Sequence, residues 1–149
     1  MIIGIDPGKR MGLAIYDSGD LVSLDTLLPY DLLAYIEAER PALVVLEDSR
    51  IQGAVWTGRG QPRAAALKIA RNVGEVDCHC DYIEAACQAA GADLISVSPL
   101  QKGAKLDRAR FAELTGWALR CNQHERDAAM AAWQFRHKKL DRGRGKVVV

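Results

Sequence analysis

The first 27 residues hold three short apolar runs with almost nothing between them. MIIGID at 1–6, MGLAIYD at 11–17 and LVSLDTL at 21–27 are separated only by PGKR and by SGD. Linkers this short join antiparallel strands, because a crossover to a parallel neighbour needs a dozen or more residues. The chain therefore opens as a three-stranded antiparallel meander, and the rest must extend or cover that sheet.

After residue 28 the pattern changes. Residues 29–40 read as a helix with Leu32, Leu33 and Ile36 on one face, stopped by Pro41. ALVVLE at 42–47 is a short continuous apolar run, the signature of a buried parallel strand. DSRIQGAVWTGRGQ at 48–61 is a glycine-broken loop. Residues 62–90 form one long helix: Pro62 suits its start, Ile69, Val73, Val76, Cys80, Ile83 and Cys87 make one stripe, and Gly91 ends it. DLISVS at 93–98 is a fifth strand, closed by Pro99. Asp107 caps a short helix to Leu114, and Asn122 opens a last helix to about Lys139, with Glu125 at capping-box spacing. The order β-β-β-α-β-α-β-α-α is that of an α/β fold. It has a five-stranded mixed sheet, a meander of three antiparallel strands plus two parallel strands, flanked by helices. We read residues 1–140 as a single domain and 141–149 as a basic, loosely held tail.

The chain has 149 residues, 49% hydrophobic and 26% charged, as expected of one globular domain. No apolar run has the length to cross a bilayer, and the N-terminus lacks a signal-peptide pattern, so the expected location is the cytoplasm. The net charge of +1 is unevenly placed. Basic residues cluster at Arg50, Arg59, Arg63, Lys68 and Arg71, at Lys102, Lys105, Arg108 and Arg110, and from Arg136 to Lys146, whereas Asp77, Asp81 and Glu84 form an acidic group. Local basic patches bind polyanions even on a near-neutral chain. Cys78-His79-Cys80 does not read as a zinc site: it lies in a helical pattern where i and i+2 diverge, and it lacks paired C-x-x-C spacing. Cys80 and Cys87 read as small buried hydrophobes. GIDPGK fits neither a Walker loop nor a dinucleotide fingerprint, so no nucleotide cofactor is expected.

Two apolar strands end in acids. Asp6 ends the first and Glu47 the fourth, and ligands of open α/β sheets bind beyond such carboxyl ends. Asp127 lies early in the last helix, followed by Ala128, Ala129, Ala131 and Ala132, which permit close packing on the sheet. Gathered carboxylates repel and are costly to desolvate, and a hard cation such as Mg²⁺ or Mn²⁺ offsets this. Two such ions, roughly 3.5–4 Å apart, clamp a phosphodiester for attack by water. His124, one turn before Asp127, shares its helix face and can complete the set.

IIGIDPGKRMGLAIYD, VVLEDS with its glycine-rich loop, SVSPLQKGAK and NQHERDAAMAA resemble, in order, the motifs of RuvC-like Holliday junction resolvases, most of all phage or prophage members. The resemblance spans about residues 1–135. It implies a ribonuclease H-like fold and a metal-dependent endonuclease. Such an enzyme acts as a homodimer on branched DNA, with paired nicks at four-way junctions that leave 5′-phosphate ends. By matching motif, Asp6, Glu47 and Asp127 are implied metal ligands, with His124 as the fourth group and Glu125 as a further candidate. Lys102 and Lys105 fall where the family carries basic residues near the scissile phosphate. Arg50, Arg59 and Arg63 would contact phosphates, and Trp56 would stack on a base at the branch point. The alternatives are a YqgF-like nuclease acting on RNA and a catalytically inactive DNA-binding protein on the same fold.

Overall fold

The computed structural model describes residues 1–52, 60 and 62–139. Its strands are β1 (Ile2–Asp6), β2 (Met11–Asp17), β3 (Asp20–Leu27), β4 (Leu43–Glu47) and β5 (Leu94–Val97). Its helices are α1 (Leu32–Glu39), α2 (Arg63–Ala90), α3 (Pro99–Lys102), α4 (Arg108–Thr115) and α5 (Gln123–Ala132). The strands form one sheet in the order β3-β2-β1-β4-β5. The meander is antiparallel, and β4 and β5 add parallel to β1. This is the sheet expected from the spacing of apolar runs.

Alternation along the central strands feeds two cores. Ile3, Ile5, Leu13, Ile15, Val44 and Leu46 point to one face and pack with α1 and Cys80, Ile83, Ala86 and Cys87 of α2. Ile2, Ala14, Tyr16, Leu43 and Val45 point to the other and pack with Phe111 of α4 and the alanines of α5. The Tyr16 hydroxyl donates to the Ala129 carbonyl at 2.9 Å, satisfying a polar group inside that core. Burial pushes the Cys80 and Cys87 thiols up to about 12 and about 11, in keeping with their reading as packing residues.

Helix α5 lies unusually close to the sheet. A Cβ added at Gly4 would collide with the Ala128 carbonyl oxygen, and one at Gly12 with the His124 carbonyl. Helix backbone thus sits directly on strand backbone, which requires hydrogen at both strand positions and small residues on the helix.

Two boundaries and the use of one apolar stripe differ from the expected ones. The last helix stops at Ala132 instead of near Lys139, followed by one 3₁₀ turn, Trp133–Phe135. Arg136 closes it: its guanidinium donates to the Trp133 carbonyl at 2.7 Å and stacks 3.6 Å from the Trp133 ring. Pro99 ends β5 but also starts α3, because Ser98 and Gln101 form a reciprocal capping box. The apolar stripe of α2 is also unequally used. Its buried residues all lie at or beyond Cys80, whereas Leu67 is exposed and Ile69 and Val73 are only partly covered. The tail at 141–149 lies outside the described residues.

The close contact makes opposite predictions for two glycines. Gly4→Ala is expected to cost about 2–3 kcal/mol by overpacking. Gly74→Ala, in α2 with open space around its Cα, is expected to gain about 0.5–1 kcal/mol through helix propensity. Urea denaturation of the two variants checks both signs.

Candidate active site

Register brings the first two acids together. β1 and β4 pair in parallel with Ile5 beside Leu46, so Asp6 and Glu47 end neighbouring strands side by side. Gly4 and Val45, two residues earlier, face α5, and strand alternation gives Asp6 and Glu47 the same face. Helix α5 starts at an Asn122–Glu125 capping box and carries His124 and Asp127 over this strand end. The third acid is buried there, and the Gln123 amide donates to its Oδ1 at 3.1 Å.

The acids meet nitrogen partners from two directions. His124 Nδ1 lies 2.7 Å from Asp6 Oδ2. Lys102, at the end of α3, places its ammonium 2.9 Å from Asp127 Oδ1 and 3.0 Å from Glu47 Oε2, with its side chain 3% exposed. Glu47 Oε2 is buried and has no hydrogen-bond donor among the described residues besides this ammonium. Lys105 reaches Asp127 Oδ2 only at 3.8 Å and is 72% exposed, a surface pairing of small worth.

Burial raises the Asp6 carboxyl above its ordinary range; His124 and Lys102 pull it back, and Asp127 pushes it up further. Burial also raises Glu47, with Lys102 opposing it and Asp6 and Asp127 adding to it. For Lys102, burial works against the ammonium, but Asp127 and Glu47 outweigh it and the pKa is raised. These acids carry charge that the protein alone compensates incompletely.

Other expected site residues are placed differently. Glu125 is not brought to the acids: one oxygen accepts from the Asn122 backbone N–H and the other from the Thr26 hydroxyl. Arg50 was expected to hold phosphate, but its guanidinium is engaged by Asp48, Asp81 and Glu84, which ties the end of β4 to α2. Arg63 is exposed at the first turn of α2. Trp56 and Arg59 lie outside the described residues. Thr26 and Gln123 were missed as supports. A neutral hydroxyl and amide at these positions carry no sequence signal until the packing of α5 is known.

No family model and no curated protein matches this chain in sequence. Solved structures do match. A structure of T. thermophilus RuvC in complex with a Holliday junction substrate has a TM-score of 0.61 at 17% identity, over 89% of each chain. A second Thermus thermophilus RuvC structure has a TM-score of 0.54 at 14% identity, over 89% of this chain and 90% of that one. The fold is therefore RuvC-like, within the ribonuclease H-like class.

The carboxylate oxygens of Asp6, Glu47 and Asp127 are the donor type a hard divalent cation takes, and among the described residues Glu47 Oε2 is held only by the Lys102 ammonium. In the conformation observed, no three His, Cys, Asp or Glu side chains among the described residues converge as a metal-binding group. Lys102 stands between Glu47 and Asp127, and Asp6 is turned to His124. The donors fit such an ion by chemistry, with Lys102 in the place between them.

A raised carboxyl pKa means that the folded state holds its proton more tightly than the unfolded chain. Stability then falls as pH rises from the ordinary Asp value of 3.8 through the raised one. Asp6→Asn removes that penalty. In metal-free buffer at pH 7 the variant is expected to match wild type or exceed it by up to about 1 kcal/mol, the difference closing near pH 4. Urea denaturation at the two pH values tests this; a variant clearly weaker at pH 7 would refute it.

Proposed function

We propose that this protein is a metal-dependent endonuclease that resolves four-way DNA junctions, acting as a homodimer. The observation that carries the reading is the pairing of Glu47 and Asp127 through Lys102, with Asp6 on the adjoining strand end, at the carboxyl end of two parallel strands in a RuvC-like fold. Asp6, Glu47 and Asp127 would hold Mg²⁺ or Mn²⁺, with His124 beside them. A bound divalent ion supplies charge neutralisation at the phosphate and acidifies water.

The chain's own residues account for the rest. If His124 Nδ1 donates to Asp6, its Nε2 lone pair faces outward and can take the proton of an attacking water. Water adds to phosphorus, the bond to the 3′ oxygen breaks, and that oxygen takes a proton from solvent water and leaves as a 3′-hydroxyl, giving a 5′-phosphate on the other strand end; His124 returns its proton to solvent. Lys105, exposed beside Asp127, meets the phosphate as charge builds. Arg63, Arg59 and Trp56 are assigned to DNA contact. The dimer reading is supported by the uncovered half of α2, with Leu67 exposed and Ile69 and Val73 half-covered. No helix among the described residues is long and apolar enough to cross a membrane.

The inactive-binder reading has one observation in its favour, the lack of a convergent three-ligand group among the described residues. Nicking of a synthetic four-way junction decides between them. Wild type with Mg²⁺ is expected to make paired nicks near the branch. Asp6→Asn is expected to lose cleavage by about a thousandfold while retaining junction binding, which rests on phosphate contacts. Tight binding without nicks in Mg²⁺ or Mn²⁺ would establish the inactive binder, and cleavage of structured RNA alone would move the substrate class. Binding is also expected to weaken steeply with salt, and a flat salt response would contradict a phosphate-tracking surface.

A further inference from the structure

We propose that Lys102 is a resident counter-ion of the acidic site, holding the place of a divalent cation until one binds and displaces its ammonium. The proposal rests on the reading of this site as a metal centre and adds a role for this side chain toward that centre.

The backbone delivers Lys102 to this place. β5 ends at Val97, Ser98 caps α3, and Lys102 is the last residue of that single turn. Gly103, at a φ of 90°, then turns the chain away. The ammonium is sealed from solvent and sits within 3.0 Å of both Glu47 and Asp127. Two carboxylates buried beside each other need a positive charge between them, and the chain provides one.

The hold is incomplete in a way that favours exchange. Glu47 Oε2 has no hydrogen-bond donor besides this ammonium among the described residues. Asp6 lies outside its ion pairs and depends on His124. One positive charge therefore serves two acids, with a third nearby. A divalent ion brings twice the charge and imposes no N–H direction, so it suits the same oxygens better. Both cations cannot occupy the gap together. The ammonium, once released, stays tethered at the crevice edge, where it can meet an incoming phosphate.

The experiment compares wild type with Lys102→Met, by calorimetric titration of Mg²⁺ and Mn²⁺ and by thermal melts with and without each ion. Competition predicts a lower melting temperature for the variant in metal-free buffer, a larger upward shift with metal, and metal affinity about tenfold or more tighter. Should Lys102→Met fail to fold without metal, wild type alone carries the test through amine labelling read by mass spectrometry. Lys102 is expected to be protected in metal-free protein and to become reactive at saturating Mg²⁺. Equal metal affinity in the two proteins, or Lys102 labelling unchanged by a metal that does bind, would overturn the counter-ion role and leave the metal centre standing. No metal response in either protein would overturn both.

Discussion

The site depends on how closely one helix lies on two strands. Asp6 and Glu47 are placed by the sheet, but His124 and Asp127 ride on α5, and their reach is set by the distance between helix and sheet. Bare backbone at Gly4, faced by Ala128 and Ala132, and at Gly12, faced by the His124 backbone, allows carbonyl oxygens of the helix to touch the strands. With ordinary side chains there, the helix would stand several ångströms higher, as packed helices and sheets usually do. The Asp6–His124 and Asp127–Lys102 contacts would then be lost.

Once the helix is that close, electrostatics governs the arrangement of charge. Three acids at these strand ends are costly together, and two partners from different elements meet them: the His124 imidazole of α5 faces Asp6, and the Lys102 ammonium of α3 serves both Glu47 and Asp127. A structural ion cluster would be expected to satisfy every buried oxygen. This one leaves Glu47 Oε2 with no partner among the described residues but a lysine shared with Asp127, and holds two carboxyls above their ordinary range. Such residual imbalance is characteristic of sites that act on a charged ligand.

Much of the fold was legible because short linkers leave little freedom. PGKR and SGD forced the meander, and the acids at the ends of IIGID and LVVLE were visible as breaks in apolar runs. The capping box at Asn122 placed the start of α5 correctly. What escaped was decided by tertiary contact. Arg50 looked like a phosphate ligand because its partners Asp81 and Glu84 lie more than thirty residues away. Glu125 was a possible metal ligand until Thr26, on β3, was seen to hold it. The helix that carries Lys102 was missed because Pro99 both ends a strand and starts a turn, and four residues show no period.

Helix α2 is continuous in its hydrogen bonding but not in its support. From Cys80 onward it is buried on the sheet and tied by Asp81 and Glu84 to Arg50, whereas the turns from Arg63 to about Val76 meet solvent on most sides. Backbone amides in the first part are released by fraying of a turn or two. Those in the second need the sheet and the Arg50 cluster to open with them, so their exchange with solvent deuterium approaches the rate of global unfolding. One unbroken helix thus reports two different free energies of opening, with the boundary near Cys80.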